Sequence, residues 1–298
     1  MVFFYPGQGS QFIGMGTNLM TYYSVAGSIF EQANDTLGFD LKKLCFQGPE
    51  SELTDTKNAQ PAIITYQYIL TKILKEKGYI PTVAAGHSLG EFSALLAAEM
   101  LSFEDTLKIV RKRGELMAAC DPEQKGSMTA ILGLNDQQVV DICQEISKTA
   151  YVEPVNFNAP GQIVISGLKE GVQAASEKAL ELGASKIVPL AVSGAFHSRL
   201  MDDAAYNFKE FISNFTIKEG ICPVASDVTA EFYITNQAKE LLALQIKKPV
   251  QWVKIVTMLY DKGYNEGIEV NQSSIIRGLV RKINKDFKIH SIDSILSL

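Results

Sequence analysis

The sequence has few of the residues from which metal sites and disulfides are built. Its 298 residues include 4 cysteines and 3 histidines, and no two cysteines form a Cys-x-x-Cys pair. This usage is typical of reduced, buried thiols in a cytosolic protein. We therefore expect no bound metal and a cytoplasmic location.

Charge and hydropathy exclude two further classes of protein. The formal net charge is −5, which argues against general nucleic-acid binding. No apolar run reaches the roughly 20 residues that a membrane span needs, and no basic segment precedes an apolar one at the N-terminus. Hydrophobic residues make up 46% of the chain, enough for one large domain or two smaller ones. We expect a globular protein that binds neither nucleic acid nor membranes.

What the sequence does contain is a Gly-x-Ser-x-Gly motif at residues 86–90. An apolar run ends at Ala85 and an apolar-periodic segment begins at Phe92, which predicts a strand, a sharp turn and a helix. Such a turn exposes the serine, and the free N–H groups of the helix start would stabilise an oxyanion. The bare motif also occurs by chance, but this context favours Ser88 as a nucleophile.

A nucleophilic serine needs a general base with a pKa near neutrality. His290 lies in a polar C-terminal segment, and His87 should point away from Ser88 in a turn of this kind. By elimination the candidate is His197. The alternative is a structural histidine that caps the helix after it.

Two other segments have open interpretations. The strand Val2–Tyr5 runs into a glycine-rich turn at residues 6–11, which would bring backbone amides to the carboxyl edge of a parallel sheet. A plain strand–helix turn is the alternative. Arg113 precedes Gly114 in a helix that Ser102 would cap. The glycine would allow a close approach to this helix, whereas a lone arginine is usually solvated.

The order of predicted elements indicates an α/β fold. Between Ser127 and Val192 the pattern is β-α-β-β-α-β, which is that of a ferredoxin-like unit. We predict an α/β-hydrolase-like catalytic core with a parallel sheet, residues 1–124 and 194–298, and an inserted ferredoxin-like small subdomain, residues 125–193. Further strands are predicted at Ile221–Val224 and, as the last strand, at Asn265–Val270.

Together, these segments resemble a known family, the malonyl-CoA:acyl carrier protein transacylases and the acyltransferases of polyketide synthases. The resemblance covers essentially the whole chain. In chain order, its motifs are Phe4-Tyr5-Pro6-Gly7-Gln8-Gly9-Ser10-Gln11, Gln60-Pro61-Ala62, Gly86-His87-Ser88-Leu89-Gly90-Glu91, Arg113-Gly114-Glu115-Leu116-Met117, Val155-Asn156-Phe157-Asn158-Ala159-Pro160-Gly161-Gln162, Phe196-His197-Ser198 and Pro249-Val250-Gln251-Trp252.

The resemblance implies a catalytic arrangement. Ser88 would take the acyl group as an ester, and His197 would act as its general base and then as an acid. The backbone carbonyl of Gln251, rather than a carboxylate, would orient the imidazole. The backbone amides of Gln8 and Leu89 would form the oxyanion hole.

The resemblance also implies the substrate. Arg113 would form a two-pronged salt bridge with the malonyl carboxylate, which lysine could not match. Phe196 would restrict room for an α-methyl branch, and Gln60 and Gln251 are further expected substrate-binding residues. One departure concerns the substrate channel, because Asn271 to Ser274 replace a glycine-rich turn. We expect Asn and Ser there to form the turn and cap the next helix.

The implied activity is transfer of malonyl from malonyl-CoA to the phosphopantetheine thiol of an acyl carrier protein, without a cofactor and by a monomer. The form Gly-Ala-Phe-His-Ser looks most like a discrete, trans-acting polyketide synthase acyltransferase, with fatty acid biosynthesis as the other setting. A basic segment between Arg277 and Lys288 is the candidate carrier surface, although a solvated helix face explains it equally well. Alternative functions are an editing acyl hydrolase with the same Ser–His pair, which typically lacks the arginine, and a non-catalytic scaffold.

Overall fold

The computed structural model of the chain describes residues 1–121, 123, 125–192 and 194–296. Residues 124 and 193, which bound the predicted small subdomain, therefore lie outside the described residues. Within the described residues, no helix combines the length and apolar character that crossing a membrane requires.

A large unit holds the N-terminal and C-terminal parts of the chain. Its elements before the small unit are β1 (Val2–Tyr5), α1 (Thr17–Tyr22), α2 (Ser24–Leu37), α3 (Leu41–Gln47), α4 (Glu50–Thr54), α5 (Thr56–Glu76), β2 (Val83–Gly86), α6 (Gly90–Ala97) and α7 (Phe103–Ala119). The small unit contains β3 (Gly126–Leu132), α8 (Asp136–Ile146), β4 (Val152–Ala159), β5 (Gln162–Leu168), α9 (Lys169–Glu181) and β6 (Lys186–Pro189). The chain then returns to the large unit with α10 (Asp202–Ile212), α11 (Ala238–Gln245), α12 (Trp252–Asp261), β7 (Glu266–Glu269), α13 (Ile275–Ile283), β8 (Lys288–Ser291) and α14 (Ile292–Leu296).

The sheet of the large unit is parallel, with strand order β2-β1-β7-β8. Successive side chains of a strand point to opposite faces, so Phe3 and Tyr5 pack in one hydrophobic cluster while Val2 and Phe4 pack in another. Helices supply both clusters, which explains why every residue of β1 is apolar and buried. The turns after β1 and β2 lie at the same edge of this sheet, because Tyr5 pairs with Gly86.

The small unit is an antiparallel sheet with strand order β4-β5-β3-β6 and two helices. This topology confirms the predicted ferredoxin-like pattern. The small unit has a cluster of its own around Ile142 and Ile165. However, Met128 and Val164 belong to the main hydrophobic cluster of the large unit. The division into two domains therefore stays a prediction.

Two predicted features of the C-terminal part are wrong. Ile221–Val224 is not a strand of the sheet but makes one parallel bridge, between Val224 and Ala84. Pro223 interrupts the ladder because proline has no N–H to donate. Strand β7 is also not the last strand, since β8 pairs with it. Strand β8 contains His290, which contacts Glu266 across the strands; its polar, partly exposed residues carry little strand signal.

The predicted cap at the Asn271–Ser274 turn is wrong as well. The side chain of Ser274, at the start of α13, caps nothing. The buried Glu269 carboxylate accepts hydrogen bonds from the amides of Ile276 and Arg277 instead. An acidic side chain is favourable at this positive end of a helix. The turn itself is tied to the first glycine-rich turn, because Asn271 donates to Ser10.

Candidate active site

Ser88 lies in the tight turn between β2 and α6. Its backbone is left-handed, with φ of 52°, a conformation that non-glycine residues rarely adopt and that persists only where the surroundings impose it. A Cβ atom at Gly86 would lie 1.9 Å from the carbonyl carbon of Gly90, and one at Gly90 would lie 2.0 Å from the carbonyl oxygen of Tyr5. The two glycines therefore permit the strand and the helix to approach closely enough to form this turn.

His197 faces the nucleophile. Its Nε2 lies 2.7 Å from Ser88 Oγ, and its Nδ1 lies 2.7 Å from the backbone carbonyl oxygen of Gln245. Since a carbonyl only accepts, Nδ1 carries the proton and Nε2 is free to accept one from the serine.

The expectation that Gln251 orients the imidazole is wrong. The carbonyl of Gln251 accepts from Ile255 at the start of α12. Gln245 is the last residue of α11, and the final carbonyls of a helix lack intrahelical partners. That unsatisfied acceptor is what His197 uses.

His197 is held in its neutral form. Burial, and secondly the nearby charge of Arg113, lower its pKa to about 3. The expected pKa near neutrality is therefore not found, but the imidazole is unprotonated at physiological pH and its Nε2 can accept the proton of Ser88.

The first glycine-rich turn packs directly against the elbow. A Cβ atom at Gly7 would lie 2.5 Å from the carbonyl oxygen of His87 and 3.5 Å from the amide nitrogen of Leu89. Among the described residues, the backbone amides of Gln8 and Leu89 have no hydrogen-bond partner, and both residues line the same cavity as Ser88. Two free donors beside a nucleophile can bind an oxyanion.

Arg113 is buried next to the serine, with 1% of its surface exposed. Its Nη1 donates to Gln60 Oε1 at 3.0 Å, and its Nη2 donates to Gln245 Oε1 at 2.8 Å and lies 3.4 Å from Ser88 Oγ. Burial lowers its pKa to about 10, so the guanidinium remains charged at neutral pH. The two amide oxygens of Gln60 and Gln245 hold the guanidinium in place without neutralising its charge. Its other N–H groups can donate to an anion.

A cavity of about 260 Å³ lies between the two units and opens onto these groups. Phe196, which the resemblance makes a substrate-binding residue, lines it, whereas Gln60 and Gln251 are not among the described residues that line it. Gln60 acts on the site through Arg113. Six of the lining residues are Ser88, Arg113 and His197 from the large unit and Met128, Asn158 and Val164 from the small unit.

Three buried residues of the site had no role assigned from the sequence: Gln245, Glu91 and Asp227. The Gln245 side chain donates to the carbonyl oxygen of Ser88 at 2.7 Å, and Asp227 Oδ2 accepts from the amide of Ser88 at 2.7 Å. Glu91 is the last residue of the motif that begins at Gly86, and it accepts a hydrogen bond from Gln245. No local pattern marks Gln245 or Asp227, because they come to Ser88 from more than 130 residues away.

A serine on a strand–turn–helix elbow, paired with a neutral histidine, is the arrangement of enzymes that carry an acyl group on the serine. The model of the acyl transferase domain family matches residues 2–292 of this chain. The chain belongs to that family.

Individual relatives resemble the chain over nearly its whole length. A malonyl CoA-acyl carrier protein transacylase of Bacillus subtilis is 43% identical over 291 residues, covering 97% of this chain and 92% of that protein. The crystal structure of an acyl-carrier-protein S-malonyltransferase from Burkholderia pseudomallei is 37% identical, with a TM-score of 0.95 and coverage of 100% and 99%.

A third relative is a malonyl-transacylase in complex with the acyl carrier protein of a type II polyketide synthase. It is 34% identical, with a TM-score of 0.95, over 97% of this chain and 94% of that one. These similarities give no support to the hydrolase alternative.

Proposed function

We propose that this chain transfers a malonyl group from malonyl-CoA to the phosphopantetheine thiol of an acyl carrier protein, through an ester on Ser88. The observation that carries the proposal is the contact of 2.7 Å between Ser88 Oγ and His197 Nε2 beside a buried, charged Arg113. The names of the relatives agree with it.

In the first half-reaction, Ser88 Oγ attacks the thioester carbonyl carbon while His197 Nε2 takes its proton. The amides of Gln8 and Leu89 hold the oxyanion that forms. The carbon–sulfur bond then breaks, His197 gives its proton to the leaving thiolate, and coenzyme A departs. The Gln245 carbonyl supports the imidazolium through Nδ1 during both transfers.

The second half-reaction reverses these roles. The carrier thiol gives its proton to His197 and attacks the ester carbonyl carbon. When the carbon–oxygen bond of the ester breaks, His197 returns the proton to Ser88 Oγ. The same base therefore serves both directions, as expected for a ping-pong transfer.

Arg113 supplies the preference for a carboxylated acyl group. Its buried guanidinium lies beside Ser88, and each Nη carries a second N–H besides the one that it donates to Gln60 or Gln245. A carboxylate can accept two parallel hydrogen bonds from such a group. Phe196 forms part of the wall around the short acyl chain.

Intact-mass spectrometry after mixing with malonyl-CoA tests the proposal. We expect an adduct of malonyl mass on wild-type protein, none on the Ser88→Ala variant, and loss of the adduct when a phosphopantetheinylated carrier is added. Free malonate released without carrier, with no adduct, would instead indicate a hydrolase.

The carrier surface that we propose is the basic face of α13 and β8. Ile275 and Leu279 of α13 line the catalytic cavity, and Lys282 bridges to Gln162 of the small unit at 2.8 Å. A partner bound to this helix would therefore sit at the cavity. The basic residues are Arg277, Arg281, Lys282, Lys285 and Lys288, and they would attract an acidic carrier.

Charge reversal tests this surface. Arg281→Glu with Lys282→Glu should raise the KM for carrier protein about tenfold and leave the KM for malonyl-CoA unchanged. The matched control is Lys42→Glu with Lys43→Glu on α3, which should change neither. An unchanged carrier KM in the α13 variant would remove the proposed surface.

Assignment to a trans-acting polyketide synthase, rather than to fatty acid synthesis, remains a prediction. One relative is in complex with the carrier protein of a polyketide synthase, whereas the name of the Bacillus subtilis relative mentions no pathway. Comparing kcat/KM for carriers of the two kinds would decide it.

A further inference from the structure

Two carboxyl groups, those of Glu91 and Asp227, are fully buried behind the nucleophile. They lie close together, because Gln245 Nε2 is 2.5 Å from Glu91 Oε2 and 3.2 Å from Asp227 Oδ2. The titratable groups around them are Arg113 from α7, Tyr233 from the loop before α11, and His197 across Ser88. Of these, only Arg113 is a cation, so two ionised carboxylates would leave a buried charge without a partner.

The hydrogen-bond donors are divided unequally between the two groups. Glu91 accepts from the amide of Asp227 at 2.8 Å, from Tyr233 Oη at 2.6 Å and from Gln245. Gln245 Nε2 has two hydrogens, and the Ser88 carbonyl and Glu91 are its two nearest acceptors. Asp227 therefore keeps one good donor, the amide of Ser88, and its Oδ1 has no partner among the described residues.

The one strong bond of Asp227 is made to the backbone of the nucleophile. Ser88 has a left-handed backbone, and its amide points away from the cavity to Asp227. Gln245 holds the other side of the same residue, at its carbonyl. Together these bonds hold the peptide conformation that directs Ser88 Oγ at His197.

We propose that Asp227 is a positioning residue which, as a neutral carboxylic acid, accepts the amide of Ser88 and holds the nucleophile in place, while Glu91, which accepts the other hydrogen bonds, carries the negative charge. The proposal deepens the proposed acyl transfer and rests on it. A neutral acid keeps a second negative charge away from the oxyanion and from a malonyl carboxylate. Burial raises the pKa of Asp227 well above its usual range and that of Glu91 to about 7, while the hydrogen bonds that Glu91 accepts favour its charged form.

Kinetics of the acylation half-reaction form the first test. Asparagine has the shape of a neutral aspartic acid and keeps the acceptor for the Ser88 amide, so Asp227→Asn should acylate within about threefold of wild type. Asp227→Ala leaves the Ser88 amide without its acceptor and should lower the acylation rate constant roughly 30-fold, with little change in the KM for malonyl-CoA. Ile142→Ala, in the separate core of the small unit, controls for a general loss of stability and should keep the wild-type rate.

Unfolding at two pH values tests the proton itself. A carboxyl whose pKa is raised on folding loses its contribution to stability as pH rises from about 4 toward the folded pKa. The Asp227→Asn variant has no ionisable group at this position, so it does not lose stability in this way as pH rises, and it retains Glu91. Its urea midpoint should therefore exceed that of wild type, by a margin that grows between pH 5 and pH 8.

The outcomes separate the two proposals. A lower midpoint for Asp227→Asn at both pH values, with a 30-fold slower acylation, would show an ionised Asp227 and overturn this inference. Wild-type rates for Asp227→Ala would overturn the positioning role. Failure of wild-type protein to form any adduct would instead overturn the proposed acyl transfer, and the unfolding measurements would still report the proton on Asp227.

Discussion

At the scale of residues, the site depends on which side chains carry charge. His197 is neutral, Arg113 is cationic, and both are buried. The Ser88 Oγ–His197 Nε2 contact is formed between neutral groups, so proton transfer creates a new charge that the Gln245 carbonyl and the free amides can stabilise.

The lowered pKa of His197 has a measurable consequence. The imidazole is the base only when unprotonated, and with a pKa of about 3 it stays unprotonated across the working range. We expect the kcat/KM for malonyl-CoA to show no acid limb between pH 7.5 and pH 5. A loss of rate with an inflection near 6.5, the ordinary value, would contradict a depressed pKa.

Arg113 is expected to discriminate between acyl groups. Arg113→Ala should lower kcat/KM for malonyl-CoA by roughly 100-fold, since hydrogen bonds to charged groups contribute about 1.5–3 kcal/mol, and should affect acetyl-CoA far less. Arg111→Ala is the matched control, because Arg111 pairs with Glu115 and Asn58 outside the cavity. Equal losses for the two substrates would mean that Arg113 does not bind the carboxylate.

The sequence predicted the site residues that lie within motifs. It did not predict those that are far from the motifs in sequence but contact Ser88 in the structure. Ser88 has the glycines of its own turn as a signal, and Arg113 and Gln8 stand within recognisable motifs. Gln245 has no such context, since its role comes from ending α11 beside His197. The wrong choice of Gln251 arose because a carbonyl acceptor carries no side-chain signal at all.

At the scale of elements, α7 positions Arg113 only because it packs closely on α5. A Cβ atom at Gly114 would lie 2.7 Å from the Cα atom of Lys57 and 2.8 Å from the carbonyl oxygen of Thr56. Both are backbone atoms that cannot rotate aside. The glycine that follows the arginine is thus explained by the contact between two helices.

Gly114→Ala should therefore separate α5 from α7 and displace Arg113 from Ser88. We expect a loss of about 1–3 kcal/mol in the free energy of unfolding, as for overpacked sites, and a higher KM for malonyl-CoA. Gly278→Ala on α13 is the control, since a Cβ atom there meets nothing within 4 Å; it should stabilise by about 0.5–1 kcal/mol. Equal behaviour of the two variants in urea unfolding would refute the packing argument.

At the scale of the whole molecule, the alternation of strands and helices predicted the α/β class and the ferredoxin-like unit because both patterns are local. The same patterns did not predict the polar edge strand β8 or the interrupted pairing next to Pro223, because pairing there depends on neighbours distant in sequence. The packing of the small unit against the large unit could not be predicted from the sequence either. One hydrophobic cluster runs from Phe3 of the large unit to Val164 of the small unit.

Because the units share this cluster, we expect them to unfold together. Trp252, the single tryptophan, reports on the large unit by fluorescence, and hydrogen exchange of the β5 amides reports on the small unit. Ile142→Ala should destabilise by about 2–4 kcal/mol and shift both transitions equally. A shift confined to β5 would show two independently folding domains.

The pairing of β1 with β2 positions the two turns that form the proposed oxyanion hole. Gln8 lies three residues beyond Tyr5, and Leu89 lies three residues beyond Gly86, the residue that pairs with Tyr5. The pairing therefore brings the two turns that carry these amides to the same edge of the sheet. A slip of one residue in this pairing would move one amide by about 3.3 Å along the strand. The register between β1 and β2 therefore decides whether the two amides can face the same oxyanion.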